Sequence, residues 1–221
     1  MLLLFFQYLS LTFSALLPLI NPLGSALVFF GLVGIAPSEV YHRLARKIAI
    51  TTIIFLLVVD LAGAAILSFF SISLAVVQVA GGLVVAAMGW RLLNEQEAGS
   101  REGVSAAATD RRSLDEKVFY PFSFPITAGP GTLVVTLTLS AHATQKNLLA
   151  TGIAHSGIMA GVVLLCIGVY FSYAYAPAIT TRISRQTIHG VIRVIAFILL
   201  CIGAQIAWNG AEQLLRSVLK S

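Results

Sequence analysis

The chain has 221 residues, of which 58% are hydrophobic and only 10% are charged, and its formal net charge at pH 7 is +5. A soluble globule of this size needs more polar surface than this composition provides, so the composition excludes an ordinary soluble protein and favours a membrane protein. The positive charge does not indicate nucleic-acid binding, because the basic residues lie in short loops between apolar runs.

Apolar runs separated by polar breaks predict six transmembrane helices in an all-α fold. A bilayer core about 30 Å thick needs about 20 apolar residues per helix, and no run shows the alternation of an outer-membrane β-barrel strand. The first run is expected to remain as a span, because neither a basic segment nor a cleavage site marks it as a signal peptide. The predicted spans are 8–34, 46–69, 72–93, 118–141, 147–175 and 190–214.

The first predicted span contains the sequence LPLINPLGS, from Leu17 to Ser25. Pro22 lacks a backbone donor and clashes with the carbonyl four residues earlier, and Gly24 relaxes the backbone, so this helix is predicted to be discontinuous. Backbone groups freed within a membrane persist only when they are buried in protein or line a polar cavity. Asn21, Pro22, Gly24 and Ser25 are therefore predicted to bind a polar solute.

Two polar residues stand out in the second and third predicted spans. Asp60 is the only acidic residue near the centre of a span, where a charge costs about 2.5–3.5 kcal/mol on insertion scales. It is expected to face the protein interior or to be protonated, and it is a candidate for proton relay or cation binding. Gln78 lies beside Gly81 and Gly82, where it either bridges helices or contacts the solute. Gly82 and Ala86 form a small-residue pattern that predicts tight helix packing.

The polar stretch 94–117 is predicted to be a solvated, mobile cytoplasmic linker between two halves of three spans each, 1–93 and 118–221. Because each half has an odd number of spans, the second half begins on the opposite side of the membrane, as in an inverted-topology repeat. Lys and Arg are concentrated in the first loop, the linker and the last loop. The positive-inside rule places these three segments in the cytoplasm and both termini outside.

The fourth predicted span repeats the pattern of the first, with the sequence FPITAGPGT from Phe124 to Thr132. Ordinary proline kinks are tolerated by helix packing, but two kinks at corresponding places in two halves favour a functional role. The fourth helix is therefore predicted to be discontinuous as well. Its candidate substrate-binding residues are Thr127, Gly129, Pro130, Gly131 and Thr132.

Discontinuous helices offer two kinds of binding group. The N-terminus of a half-helix favours a carboxylate, and free carbonyls suit an ammonium group or a sodium ion. A zwitterionic amino acid would use both, so it is the expected small-molecule partner, besides membrane lipid.

The last two spans hold further polar residues. His155 is either a satisfied interior histidine or a proton shuttle, and Gly157 with Gly161 predicts tight packing. Gln205 and Asn209 fall on one face of the last span and are candidate cavity residues. No metal-binding or nucleotide-binding motif and no catalytic triad is present, so neither an enzyme nor a metal or other cofactor is predicted.

The combination of these motifs resembles the MarC family. The resemblance is carried by NPLG at Asn21 to Gly24, by FSISLAVVQVAGGLVVAAMGWRLL, by FPITAGPGT, and by the run from Arg193 through Gln205 to Asn209 and Gly210. It implies a bacterial or archaeal inner-membrane protein of six spans, in a family whose studied members include cation-driven transporters of glycine and alanine. It also implies the substrate role of the residues in the two broken helices. Gln78 departs from the family, in which this position is often Arg.

Together these observations predict a secondary transporter of small neutral amino acids that works by alternating access, with Na⁺ or H⁺ as the coupling ion. A passive channel or an exporter of another small solute is the alternative. An intramembrane enzyme is a further alternative, for which Asp60 with His155 is the only candidate reactive pair. An oligomer is compatible with the sequence.

Overall fold

The computed structural model describes residues 1–94, 111–144, 147–182 and 185–219. These residues contain helices and no strand, which confirms the all-α prediction. Most of the predicted linker, residues 95–110, lies outside the described residues. The described elements are α1 (Leu2–Ile20), α2 (Pro22–Val33), α3 (Ser38–Phe69), α4 (Leu74–Asn94), α5 (Arg111–Glu116), a π-helical segment (Val118–Thr127), α6 (Pro130–Ala143), α7 (Leu148–Ala174), α8 (Ala176–Arg182) and α9 (Arg185–Leu219).

Within the described residues, four helical stretches are long and apolar enough to cross a membrane. A fifth is added if the π-helical segment and α6, which are bent by 72° at the break between them, form one broken span. α3 covers the predicted span at 46–69 but is not among these stretches. The count of six spans therefore stays a prediction. The four stretches are Leu2–Val33, Leu74–Asn94, Leu148–Ala174 and Gly190–Leu219.

The most extensive helix pair is α4 with α9, and it is lined by glycine. A Cβ atom on Gly82 would lie 2.6 Å from the carbonyl oxygen of Gly203, and one on Gly89 would lie 2.7 Å from that of Ala196. The two backbones therefore touch directly, and the order of the contacts makes the pair antiparallel. The predicted tight packing of Gly82 and Ala86 is confirmed, because a Cβ on Gly203 would lie 2.7 Å from Ala86 Cα.

Gly203→Ala is expected to lower the thermal unfolding midpoint of the purified protein in detergent. The added methyl meets backbone that cannot move aside locally, and overpacking of this kind costs about 1–3 kcal/mol. Gly168→Ala in α7 is the matched control, because its Cβ meets nothing within 4 Å and the change improves helix propensity. An equal midpoint for the two variants would contradict the assigned α4–α9 contact.

Helix α1 runs parallel to α7 and packs against it through small residues. A Cβ on Gly157 would lie 2.6 Å from the carbonyl oxygen of Phe5, and one on Gly161 would lie 3.0 Å from that of Leu9. The prediction that Gly157 and Gly161 mark tight packing is therefore confirmed. Because α1 and α7 belong to different halves of the sequence, the two halves are packed into each other rather than side by side.

One end of the molecule gathers the start of α3, α5 and the end of α7, and we call it the basic end. Lys47 Nζ lies 3.2 Å and Arg43 lies 3.7 Å from Asp115 Oδ1, and the ring of Tyr175 packs edge-on against His42 at 5.3 Å. The first loop, the end of the linker and the end of the fifth predicted span thus meet at one end. This arrangement requires α3 and α7 to run in opposite directions.

Candidate functional site

The first helix is interrupted at a single residue. Asn21 adopts the left-handed conformation, with φ 42° and ψ 69°, so that α1 ends and α2 begins there. Asn tolerates this region better than most residues because its short amide can bond locally, and Asn21 Oδ1 accepts a hydrogen bond from the Gly24 amide at 3.1 Å. Pro22, which has no N–H to satisfy, occupies the first position of the new helix.

Two small residues after the break hold its geometry. A Cβ on Gly24 would collide with the amide of Asn21 and lie 2.8 Å from its Cγ, so only glycine leaves room for the Asn21 cap. Ser25 Oγ lies 2.9 Å from the carbonyl oxygen of Asn21 and 3.2 Å from that of Ile20. The Asn21 carbonyl also accepts the Ser25 backbone amide at 2.9 Å, so the buried serine hydroxyl offers a donor to the carbonyl of Ile20 at the end of α1.

The second break combines an irregular segment with a sharp bend. Tyr120 and Phe124 are extended, with φ −123° and −127°, and each precedes a proline through a cis peptide bond. The segment ends at Ala128, whose amide donates to the Ser123 carbonyl at 2.8 Å. Gly129 is extended, and α6 then begins at a proline. The predicted discontinuity thus falls between Thr127 and Pro130.

The two breaks meet at Tyr173 of α7. Thr127 Oγ1 donates to the Phe122 carbonyl at 2.7 Å, so its contact of 2.8 Å with the Tyr173 hydroxyl is donated by the tyrosine. The side chain of Ser25 lies near the same hydroxyl, and its own hydroxyl is directed at the carbonyls of Ile20 and Asn21. Ser25, Thr127 and Tyr173 are all buried. Tyr173 therefore contacts the second break through its hydroxyl and helix α2 of the first break through its ring.

Aromatic packing holds this meeting point. The ring of Phe29 in α2 stacks on Tyr173, with centroids 4.5 Å apart and an interplanar angle of 12°. Phe122 of the π-helical segment contacts Phe29 edge-on at 5.3 Å. All three rings are fully or almost fully buried, so they fix the distance between α2, α7 and the π-helical segment.

The remaining residues of the second break face α4 instead. A Cβ on Gly131 would lie 2.5 Å from Val85 and 2.9 Å from Leu19, and one on Gly129 would lie 3.8 Å from Met88. Thr132 is buried, and its hydroxyl makes no hydrogen bond to the described residues. Glycine thus allows α6 to approach α4 and α1 closely. Pro22, in the first break, borders an apolar groove between α1 and α7.

Asp60 belongs to a polar cluster that joins α3, α6 and α7. Its Oδ1 lies 2.9 Å from His155 Nδ1, and Ser140 Oγ donates to its main-chain carbonyl at 2.6 Å. Asp60 Oδ2 is buried and has no hydrogen-bond partner among the described residues. Because the Ser140 hydroxyl points to a backbone carbonyl and not to His155, the cluster lacks the hydroxyl–imidazole contact of a nucleophilic relay.

Gln78, Gln205 and Asn209 lie along the α4–α9 pair. Gln78 is buried, with its Oε1 unbonded to described residues, and its Cβ would lie 2.8 Å from a Cβ on Gly210. Gln205 Nε2 donates to Asn209 Oδ1 at 2.8 Å. These two amides are exposed and lie about 200° around α9 from Gly203, which faces α4. The structure does not bring them to the two breaks, and their role as cavity residues stays a prediction.

Comparison with known proteins identifies the family. The model for the MarC family integral membrane proteins matches residues 6–215. The chain belongs to the MarC family. It is 27% identical over 216 residues to the inner membrane protein MarC of Escherichia coli strains SMS-3-5 and K12, covering 96% of this chain and 97% of each relative. No solved structure matches the chain.

Sequence reasoning missed Tyr173 in this MarC-family chain. It lies within the run VYFSYAYAP, which has no acidic or amide residue to mark it as polar. The tyrosine itself was an indication, because a tyrosine buried within a span needs a hydrogen-bond partner for its hydroxyl. Finding that partner requires knowing that α7 passes between the two breaks. No group of three or more His, Cys, Asp or Glu that could hold a metal occurs among the described residues.

Proposed function

We propose that this MarC-family protein is a secondary transporter of small neutral amino acids, with the two broken helices as its substrate site. The observation that carries the proposal is the meeting of both broken helices at the buried Tyr173, whose hydroxyl bonds to Thr127 and whose ring stacks on Phe29 of α2. A site shared by two segments about 100 residues apart in sequence can change when one segment moves relative to the other, which is the basis of alternating access.

The chemistry at the breaks supports a zwitterionic solute of small size. The carbonyls of Ile20 and Asn21, now bonded by Ser25, would accept an ammonium group. The start of α6 after Gly129 presents the positive end of a helix dipole, which favours a carboxylate. The close approach of Val85 to Gly131 favours glycine or alanine over larger amino acids.

The helix pairings support two inverted repeats, 1–93 and 118–221, with α3 as the span of the first repeat that corresponds to α7. Repeats of this kind relate α3 to α7 and α4 to α9 by a two-fold axis in the membrane plane. Each of these pairs is then expected to be antiparallel, and both are. The apolar part of α3 is interrupted by one charge only, that of Asp60.

The charge distribution supports a cytoplasmic basic end. Its α3 residues Arg43, Arg46 and Lys47 lie on the same end as α5, and the positive-inside rule places such clusters in the cytoplasm. The relatives are named inner membrane proteins, so we place this chain in the inner membrane with both termini outside.

Burial of the site supports a transporter that must move in order to release its solute. Ser25, Thr127 and Thr132 are almost fully buried, so a solute held by them is enclosed by protein. Enclosure followed by opening to one side is the property that separates a carrier from an open pore.

The test is uptake of radiolabelled glycine and alanine into proteoliposomes, with and without sodium or proton gradients. A carrier is expected to show counterflow, in which unlabelled solute inside accelerates entry of labelled solute. Flux without counterflow would replace the proposal with a passive channel. Absence of flux for every small neutral amino acid would refute the substrate assignment.

A further inference from the structure

The contact between Asp60 and His155 lies away from the two breaks. The two residues are 95 positions apart in sequence and come from different halves of the chain, on α3 and α7. Their side chains are 1% and 18% exposed, respectively. A carboxylate so deeply buried within a membrane protein is costly unless it has a function or a full set of partners.

The bonding of this carboxylate is incomplete. Oδ1 faces His155 Nδ1, but Oδ2 is buried and has no hydrogen-bond partner among the described residues. Buried polar atoms without a partner are rare and require an explanation. A protonated carboxyl needs fewer donors than a carboxylate, so the incomplete bonding favours a group that carries a proton for part of the time.

The surroundings contain few competing charges. From α6, the Ser140 hydroxyl donates to the main-chain carbonyl of Asp60 and lies near its carboxyl. The nearby titratable groups on the packed helices are His142, whose Nδ1 lies 2.8 Å from the Thr138 carbonyl, and Tyr8, whose hydroxyl donates to the His142 carbonyl. The side chains of His142 and Tyr8 are each bonded to a backbone carbonyl. His155 is therefore the titratable group that interacts most directly with the charge of Asp60.

His155 is the member of the pair that is partly exposed and lies near the start of its helix. It lies seven residues after the start of α7 at Leu148, or about 10 Å along the helix, and this start is at the end opposite the basic end. Its side chain is 18% exposed, so the imidazole is the more accessible member of the pair. An imidazole can take up and pass on a proton near neutral pH.

We propose that Asp60 and His155 form the proton-binding pair that couples solute movement to a proton gradient, an inference that rests on the proposed transport function. A proton from solvent binds to the imidazole and is passed from Nδ1 to the facing Oδ1 of Asp60, which turns the carboxylate into a neutral acid. Release of this proton as H⁺ on the other side of the membrane restores the Asp60 carboxylate. Protonation weakens the attraction between α3 and α7, so the state of the pair is linked to the packing of the two repeats.

The experiment compares wild-type protein with Asp60→Asn and His155→Gln in sodium-free proteoliposomes. Two quantities are measured: alanine counterflow without any ion gradient, and alanine accumulation driven by a pH difference, with a lumenal pH dye as a second readout. His142→Gln is the matched control, because this histidine is exposed and contacts only its own helix through its side chain.

Wild type and His142→Gln are expected to accumulate alanine about tenfold for a pH difference of about 1 unit, since one coupled proton then supplies a factor of ten. Asp60→Asn is expected to keep counterflow while losing accumulation and the lumenal pH change. His155→Gln is expected to lower both the alanine accumulation and the lumenal pH change. Because counterflow itself shows that the variants are folded, the coupling defect is separated from misfolding.

Three results would overturn the inference but not the proposed transport function of the wild-type protein. They are pH-driven accumulation by Asp60→Asn equal to that of wild type, accumulation by wild type only with a sodium gradient, and loss of counterflow in both variants with normal thermal unfolding. The third would mean that the pair is needed for solute movement itself. A wild-type protein without counterflow for any small neutral amino acid would refute the proposed function instead.

Discussion

Tyr173→Phe is expected to reduce the initial rate of alanine uptake by about tenfold. The change removes the hydroxyl that donates to Thr127 and lies near Ser25, while the ring remains stacked on Phe29. A hydrogen bond lost between buried groups costs about 1–3 kcal/mol, and 1.4 kcal/mol corresponds to a factor of ten. Uptake of radiolabelled alanine into proteoliposomes measures the effect.

A double-mutant cycle with Thr127→Val tests whether the two residues act through their mutual contact. If they do, the double variant is expected to be little worse than either single variant. Tyr175→Phe is the control, because this tyrosine lies two residues further along the chain and is exposed. Uptake by Tyr173→Phe equal to that of Tyr175→Phe would remove Tyr173 from the site.

The second large effect is expected for Gly24→Ala. The added methyl group collides with the amide of Asn21, so it displaces the cap that ends α1 and begins α2. Loss of a cap costs about 0.5–2 kcal/mol of stability, and the left-handed residue at the break loses its local bond as well. We expect a lower thermal unfolding midpoint in detergent together with loss of alanine uptake.

Gly31→Ala provides the matched control within the same helix. A Cβ on Gly31 meets nothing within 4 Å, and alanine is the better helix former. It is therefore expected to leave both the unfolding midpoint and uptake unchanged or slightly improved. Equal behaviour of the two variants would show that the Asn21 cap does not maintain the break.

The breaks were predictable from the sequence because their causes are local. Pro22 and Pro130 each stand at the start of a helix, where their missing N–H and fixed φ determine the backbone whatever surrounds them. The conformation of the π-helical segment that ends at Thr127 was not predictable in detail. Prolines at two positions four residues apart indicate an irregular segment but not its conformation.

The contacts between the halves were not predictable, since they depend on which helices become neighbours. Asp60 with His155 was identified as a candidate reactive pair, but their contact requires α3 and α7 to become neighbours, and no local pattern in the sequence determines that. The spacing of Gln205 and Asn209 correctly predicted that they share a face of α9, because four residues make about one turn. It could not tell which face, since α9 is apolar on nearly all sides.

Helix α6 connects the second break to the Asp60 cluster. It is one unbroken rod whose first turn lies at the second break and whose last turn carries Ser140, bonded to the carbonyl of Asp60. The ten residues between Pro130 and Ser140 make a lever arm of about 15 Å. A tilt of about 10° about Gly129 would then carry the Ser140 end by about 2.6 Å, enough to break its bond to Asp60. If the protein closes around a solute at the second break, the resulting tilt of α6 would therefore change the contact between Ser140 and Asp60.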